Sequence, residues 1–325
     1  MKSMNIFLLA LALYPCLSIT GQIRTNSEIR LTAGYDFCLD GTASFIYTGE
    51  ANEILKISII EKTIVRRIQT EHECDITAID LSKDGKYIVT GDKCGIIQLI
   101  DSMGNLIKSF NHHQGTVYSL EFHPDKSCFV SSASDGKIYL TYIDDRHESY
   151  LVAEDPNPVY CATFHSDGSL MAAGFYNGWL RIYEFTTKNE SYSRKIHNGP
   201  VRTIKFGREG TIYSGGDDKK LLAWDYKKDL VEFPGINGGF RDWILSFYTD
   251  EDEKYQLLSN YAGYVRMEFF GLIYITCLNG PALKSVAIQK PDSSIEVIAL
   301  VLNQGIIFFS LENMEIEKVK GLHEP

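Results

Sequence analysis

Residues 197–225 read HNGPVRTIKFGREGTIYSGGDDKKLLAWD. Three short segments in that stretch, VRTIKF, TIYSGG and LLAWD, are rich in β-branched, aromatic and aliphatic residues. Between them stand Glu209-Gly210 and Asp217-Asp218-Lys219, which are turn chemistry. Short apolar runs separated by acidic and glycine turns are the signature of antiparallel hairpins. Turns this closely spaced leave no room for a helix of useful length.

The same pattern repeats outward in both directions. A β-branched residue opens a strand at Ile76, Val117, Val159, Val201 and Ile244, at intervals of 41, 42, 42 and 43. An acidic turn follows at Asp40-Gly41, Asp84-Gly85, Asp125-Lys126, Asp167-Gly168 and Glu209-Gly210. A tight turn ends at Asn52, Gly95, Gly136, Gly178, Lys219, Gly263 and Gly305. A further strand sits between units, as in residues 64–68 and 106–110. Four strands per unit make a small sheet with two apolar faces, and such a sheet is buried only by stacking against copies of itself. Residues 22–325 hold about seven periods, which predicts an all-β, seven-bladed β-propeller of four-stranded antiparallel blades in a single domain.

The unit at 197–225 resembles the WD40-repeat β-propeller family: a His near the start, a Ser-Gly-x-Asp-Asp-Lys turn and a terminal Trp-Asp. Other units match more loosely, with Ile100-Asp101 and Tyr183-Glu184 in place of Trp-Asp. The resemblance covers about residues 30–312. It implies that His197, Ser214, Asp218 and Trp224 form a buried hydrogen-bond chain inside one blade. That chain explains a Ser, His and Asp in one unit better than a catalytic triad does, because buried polar groups need partners and a hydrolase needs an exposed nucleophile. Other units have Cys94, Asn177, Ala262 and Gln304 at the Asp position. The resemblance also implies ring closure by a terminal strand, from residues 22–30 or from residues 315–320.

By the same resemblance, two positions per blade project at the channel mouth on the top face. They are the residue after the opening β-branched one and the residue two before the tight-turn marker. These positions supply Tyr118, Tyr160, Tyr176, Arg202 and Tyr261, with Trp243 on the loop entering the sixth unit. Tyr, Trp and Arg anchor interfaces because they bury large rigid area and keep a polar handle. The alternative is ordinary packing around the channel mouth.

Chemistry is otherwise sparse. No phosphate-binding loop, zinc-protease motif or nucleophile elbow occurs. His112-His113 has no third ligand at metal spacing, and His123 and His165 read as solvated turn residues. No catalytic, metal or cofactor site is expected. The chain is 44% hydrophobic with a net charge of -10, which argues against disorder and against direct nucleic-acid binding.

Residues 1–21 carry one Lys, an apolar run over 6–13 and small residues beyond Pro15, the layout of a secretory signal peptide. The run is too short to span a membrane. Six Cys follow it, and one sequon, Asn189-Glu190-Ser191; neither settles the compartment. The expectation is a non-enzymatic scaffold that binds a protein or peptide partner through its top face. It is secretory or extracellular if the leader is cleaved, and otherwise cytoplasmic. Two alternatives stand: a secreted propeller hydrolase or lactonase, and a subunit of an intracellular RNA-processing or vesicle-coat assembly.

Overall fold

The computed structural model describes residues 27–144, 149–232, 242–250, 253, 255–269, 272–290, 294–310 and 315–317. The leader expected at residues 1–21 lies outside them. The regular elements of the described chain are all strands, apart from one 3-10 turn at Arg208–Gly210. The strands form seven antiparallel sheets, six of four strands and one of five. The first strands are Phe37–Leu39, Ile76–Leu81, Val117–Phe122, Val159–Phe164, Val201–Phe206, Ile244–Thr249 and Ala282–Gln289. These pack side by side around a central axis, and the other strands follow outward in sequence order. This is the seven-bladed propeller that the period predicts.

The β-branched openers have a packing role. Ile76, Val117, Val159, Val201 and Ile244 are all essentially inaccessible. Val117 presses on Gly91 of the preceding blade, and Ile244 on Gly215. A Cβ on those glycines would stand 2.6 Å and 2.4 Å from the neighbouring side chain. The opener is therefore a knob, and the glycine is the hole in the blade before it.

The tight-turn marker is left-handed at Gly95 (φ 94°) and equally at Lys219 (φ 67°). In blade one the left-handed residue is Ala51 (φ 52°), one position before the expected Asn52. The second strand there runs to Glu50 and the third resumes at Glu53, so that turn has only two residues.

Both candidate closing segments find a place. Ser27–Ile29 pairs with Gly305–Ser310 as the outermost strand of blade seven, with Ile29 opposite Ile306. Glu315–Glu317 instead adds a fifth strand to blade six, with Ile273 opposite Glu317. The seam between blades seven and one buries Phe37, Ile46 and Leu55 with Ile298, Leu300 and Phe308. Ion pairs cross the same seam: Lys284 Nζ to Asp36 at 2.7 Å, and Lys62 Nζ to the buried Glu296 at 2.7 Å.

Candidate protein-interaction face

In blades two to seven the first strand carries a β-bulge at its second residue. The register shifts between Ile76 and Ala78, Val117 and Ser119, Val159 and Cys161, Val201 and Thr203, Ile244 and Ser246, and Ala282 and Lys284. The skipped residues are Thr77, Tyr118, Tyr160, Arg202, Leu245 and Leu283. A bulge leaves its extra residue out of the ladder and re-aims the side chain. The second set is fixed by one recurring bond. Lys93, Ser134, Tyr176, Asp217 and Tyr261 each donate a backbone N–H to the carbonyl of the residue just before a first strand: Asp75, Thr116, Pro158, Pro200 and Trp243. The second strand of a blade therefore ends where its first strand begins, and the two sets meet.

All six expected interface residues fall on one continuous ladder across blades three to six. Tyr118 lies 4.7 Å from Tyr160, ring centre to ring centre, and Tyr160 lies 6.3 Å from Tyr176. The Arg202 guanidinium covers the Tyr160 ring at 4.1 Å and reaches Trp243 at 5.7 Å, and Trp243 packs on Tyr261 at 5.1 Å. Tyr176, Trp243 and Tyr261 are 50%, 38% and 45% exposed; Tyr118, Tyr160 and Arg202 are half-buried.

Asp217 completes the arrangement. It accepts from Arg202 Nε and Nη2, both at 2.7 Å. Burial works against the guanidinium charge, but Asp217 and Tyr160 hold the Arg202 pKa above its ordinary value. Burial also pushes the Tyr118 phenol up, helped by Tyr160 and opposed by Arg202. The ladder is thus aromatic and locally neutral. Thr77 departs from its set: it is buried, and its hydroxyl donates to the Val117 carbonyl at 2.6 Å.

The structure ties together three of the four residues expected in the blade-five chain. His197 Nδ1 meets Asp218 at 2.8 Å, and Nε2 meets Ser214 Oγ at 2.9 Å. Trp224 is buried in the same blade, but its indole N–H donates to Asp229 at 3.3 Å instead. Two further blades carry the same motif. His113 bonds Asp135 and Ser131 in blade three. His72 bonds Asp92 and Thr90 in blade two, each at 2.9 Å. Blade two has therefore not lost its Asp; the carboxylate comes from two residues before Cys94.

Released from that role, Cys94 forms a disulfide with Cys74, which lies in the loop entering the same blade. In blade four the His is replaced by the buried Asp155, which pairs with Arg181. His123 is not a solvated turn residue. It is 5% exposed, its Nδ1 accepts the N–H groups of Asp125 and Lys126, and its Nε2 donates to the Gly168 carbonyl of blade four at 3.1 Å.

Below the ladder, side chains on the channel wall stitch neighbouring first strands together. Asp36 accepts the Ile79 N–H, Ser119 that of Ala162, Thr203 that of Phe247 and Ser246 that of Ser285. Two residues along, Asp80 accepts the Phe122 N–H at 2.7 Å and Glu121 the Phe164 N–H at 3.0 Å. Burial pushes the Asp80 carboxyl up to about 7, against its bond to Phe122, and the Glu121 carboxyl also rises on burial. Sequence reading missed this convergence of Asp36, Asp80 and Glu121, because their spacing encodes only strand membership. Among the described residues no group of three or more His, Cys, Asp or Glu is arranged to hold a metal ion. No described helix is long and apolar enough to cross a membrane.

Comparison with known proteins matches the family model "WD domain, G-beta repeat" at residues 64–101, 104–141 and 149–184. Each matched repeat starts at the outermost strand of one blade and ends at the third strand of the next, so a repeat is not a blade. WD repeat-containing protein 82 of Drosophila melanogaster is 29% identical over 98 residues, 29% of this chain and 31% of that protein. Eukaryotic translation initiation factor 3 subunit I of Vanderwaltozyma polyspora is 29% identical over 87 residues, 26% of this chain and 25% of that protein. U3 small nucleolar RNA-associated protein 15 of Schizosaccharomyces pombe is 28% identical over 114 residues, 35% of this chain and 21% of that protein. The alignments thus span about a third or less of each relative. The chain is therefore a seven-bladed β-propeller in which three WD40 repeats are matched.

Proposed function

We propose that the chain is a non-enzymatic scaffold that docks a protein or peptide partner on its top face. The observation that carries this reading is the unbroken ladder Tyr118–Tyr160–Arg202–Trp243–Tyr261, flanked by Tyr176. Its backbone is fixed by bulges and by paired N–H groups, so a partner meets a preorganised surface and little entropy is lost on docking. Two of Arg202's donors are already committed to Asp217. The face is therefore suited to apolar and hydrogen-bonding side chains of an extended segment rather than to phosphate. The net charge of -10 favours a protein partner over nucleic acid in the same way. The relatives named for translation initiation and for small nucleolar RNA association support membership of an assembly, without identifying which.

The test is quantitative affinity capture from the native source, followed by titration of the recovered partner against wild-type chain and the Tyr176→Ala/Tyr261→Ala double variant. Weaker binding by the variant supports the proposal; equal binding refutes it.

A further inference from the structure

We infer that Asn189 is a site of N-linked glycosylation and that the chain matures in an oxidising secretory compartment. Residues 189–191 read Asn-Glu-Ser, an acceptor triplet without proline at its centre. In the fold, Asn189 is exposed at the end of the turn that joins Trp179–Glu184 to Glu190–Lys195, the third and outermost strands of blade four. Its backbone is committed, with the N–H donated to Thr187 Oγ1 at 3.2 Å and the carbonyl accepting the Glu184 N–H at 3.0 Å. Its carboxamide makes no hydrogen bond among the described residues.

The strand that follows is exposed at every position but Arg194. Neighbouring strands run in opposite directions, so this turn lies at the far end of blade four from Tyr176. A glycan there adds a bulky polar group on the outer rim and leaves the aromatic ladder open.

A second observation is independent of the triplet. Cys74 and Cys94 are joined, with their Cα atoms 6.0 Å apart. Structural disulfides persist in oxidising compartments and are rare in the cytosol, and those compartments are where glycan transfer occurs. Cys38 and Cys128 are buried, and burial pushes both thiols up, Cys128 to about 12, so neither offers a thiolate for wrong pairing. Cys277 is exposed at the end of the fourth strand of blade six. The apolar leader read from residues 1–21 points to the same compartment.

The chemistry balances without any group supplied by this chain beyond the amide. Asn189 Nδ2 bonds to the anomeric carbon of an oligosaccharide carried on a polyisoprenoid diphosphate. The anomeric C–O bond breaks, the lipid diphosphate leaves, and one amide proton is lost. The disulfide forms separately. The two thiols give up two protons and two electrons, and an oxidised dithiol carrier is reduced by exchange.

The experiment expresses the full chain from Met1 in a eukaryotic secretory cell line. Peptides around residue 189 are mapped before and after peptide N-glycosidase, and thiols are mass-tagged with and without reductant. The expected result is a glycan mass on Asn189, lost on treatment with conversion to Asp, and tagging of Cys74 and Cys94 only after reduction. Asn189→Gln and Ser191→Ala abolish the glycan mass, and Ser191→Thr retains it. An unmodified Asn189 in the wild-type chain overturns the glycosylation site. Tagging of Cys74 and Cys94 without reductant overturns the compartment.

Discussion

Replacing Asp80 by Asn stabilises the propeller at pH 8 and does little near pH 4. Asp80 lies on the channel wall, half-buried, facing Glu121, Lys284 and Cys38, and its carboxyl is pushed from 3.8 up to about 7. A folded pKa above the unfolded one means stability fully present below pH 3.8 and lost as pH rises through 7. At about 1.4 kcal/mol per unit, a shift of roughly three units gives about 4 kcal/mol as a ceiling. Because Asp80 is only half-buried, solvent screening brings the expected penalty to about 1–2 kcal/mol.

Asparagine removes the charge and keeps an oxygen to accept the Phe122 N–H, which Asp80 holds at 2.7 Å. Urea unfolding followed by fluorescence of the three tryptophans measures the effect at pH 4, 6 and 8. The variant's gain should be near zero at pH 4, grow through pH 6 and level off above 7. A gain of the same size at every pH, or a loss at pH 8, refutes the reasoning that ionisation of Asp80 opposes folding.

Two further predictions come from the polar network. His197→Ala leaves the half-buried Asp218 and the buried Ser214 hydroxyl without their shared partner and should cost about 3 kcal/mol. Trp224→Phe spares that chain and should cost about 1–2 kcal/mol through lost packing, as chemical denaturation will show. His112, His113 and His123 are all held below 6.5, in each case mainly by burial. A depressed folded pKa means stability present above pH 6.5 and lost as pH falls through the folded value. His123→Gln should therefore lower stability at pH 7 yet flatten its decline between pH 6.5 and 5, read as the change in urea midpoint per pH unit.

The repeat was legible because each marker does a job that only certain residue types can do. Val117 and Ile244 are knobs on glycine, and the tight-turn marker needs a left-handed backbone. The ladder was legible for a similar reason. A bulge after the opener and the bond that ends the second strand aim the same two positions in blades two to six, so reading every forty-second residue collected Tyr118, Tyr160 and Arg202 together. Relations that leave the period were not legible. Asp92 serves His72 from two residues early, so Cys94 reads as a lost Asp when it is a disulfide partner. Trp224 satisfies its N–H on Asp229, a contact set by a local turn. The pairing of Arg202 with Asp217 and of Asp36 with Lys284 joins separate strands in space, and no linear spacing announces either. Closure by residues 27–29 is a choice between two terminal segments of similar character, decided only by which edge each can reach.

The docking claim is tested most directly on the two most exposed tyrosines of the ladder. Tyr176 and Tyr261 each contribute one ring contact within it, so their joint removal should lower stability by at most about 1–2 kcal/mol. As anchors of a bound segment they should together account for at least a tenfold change in Kd, about 1.4 kcal/mol. Isothermal titration of the captured partner against wild-type and Tyr176→Ala/Tyr261→Ala chains should give a Kd raised tenfold or more, with a nearly unchanged urea midpoint. An unchanged Kd, or a midpoint that collapses along with binding, would mean that these rings pack the channel mouth and hold no partner.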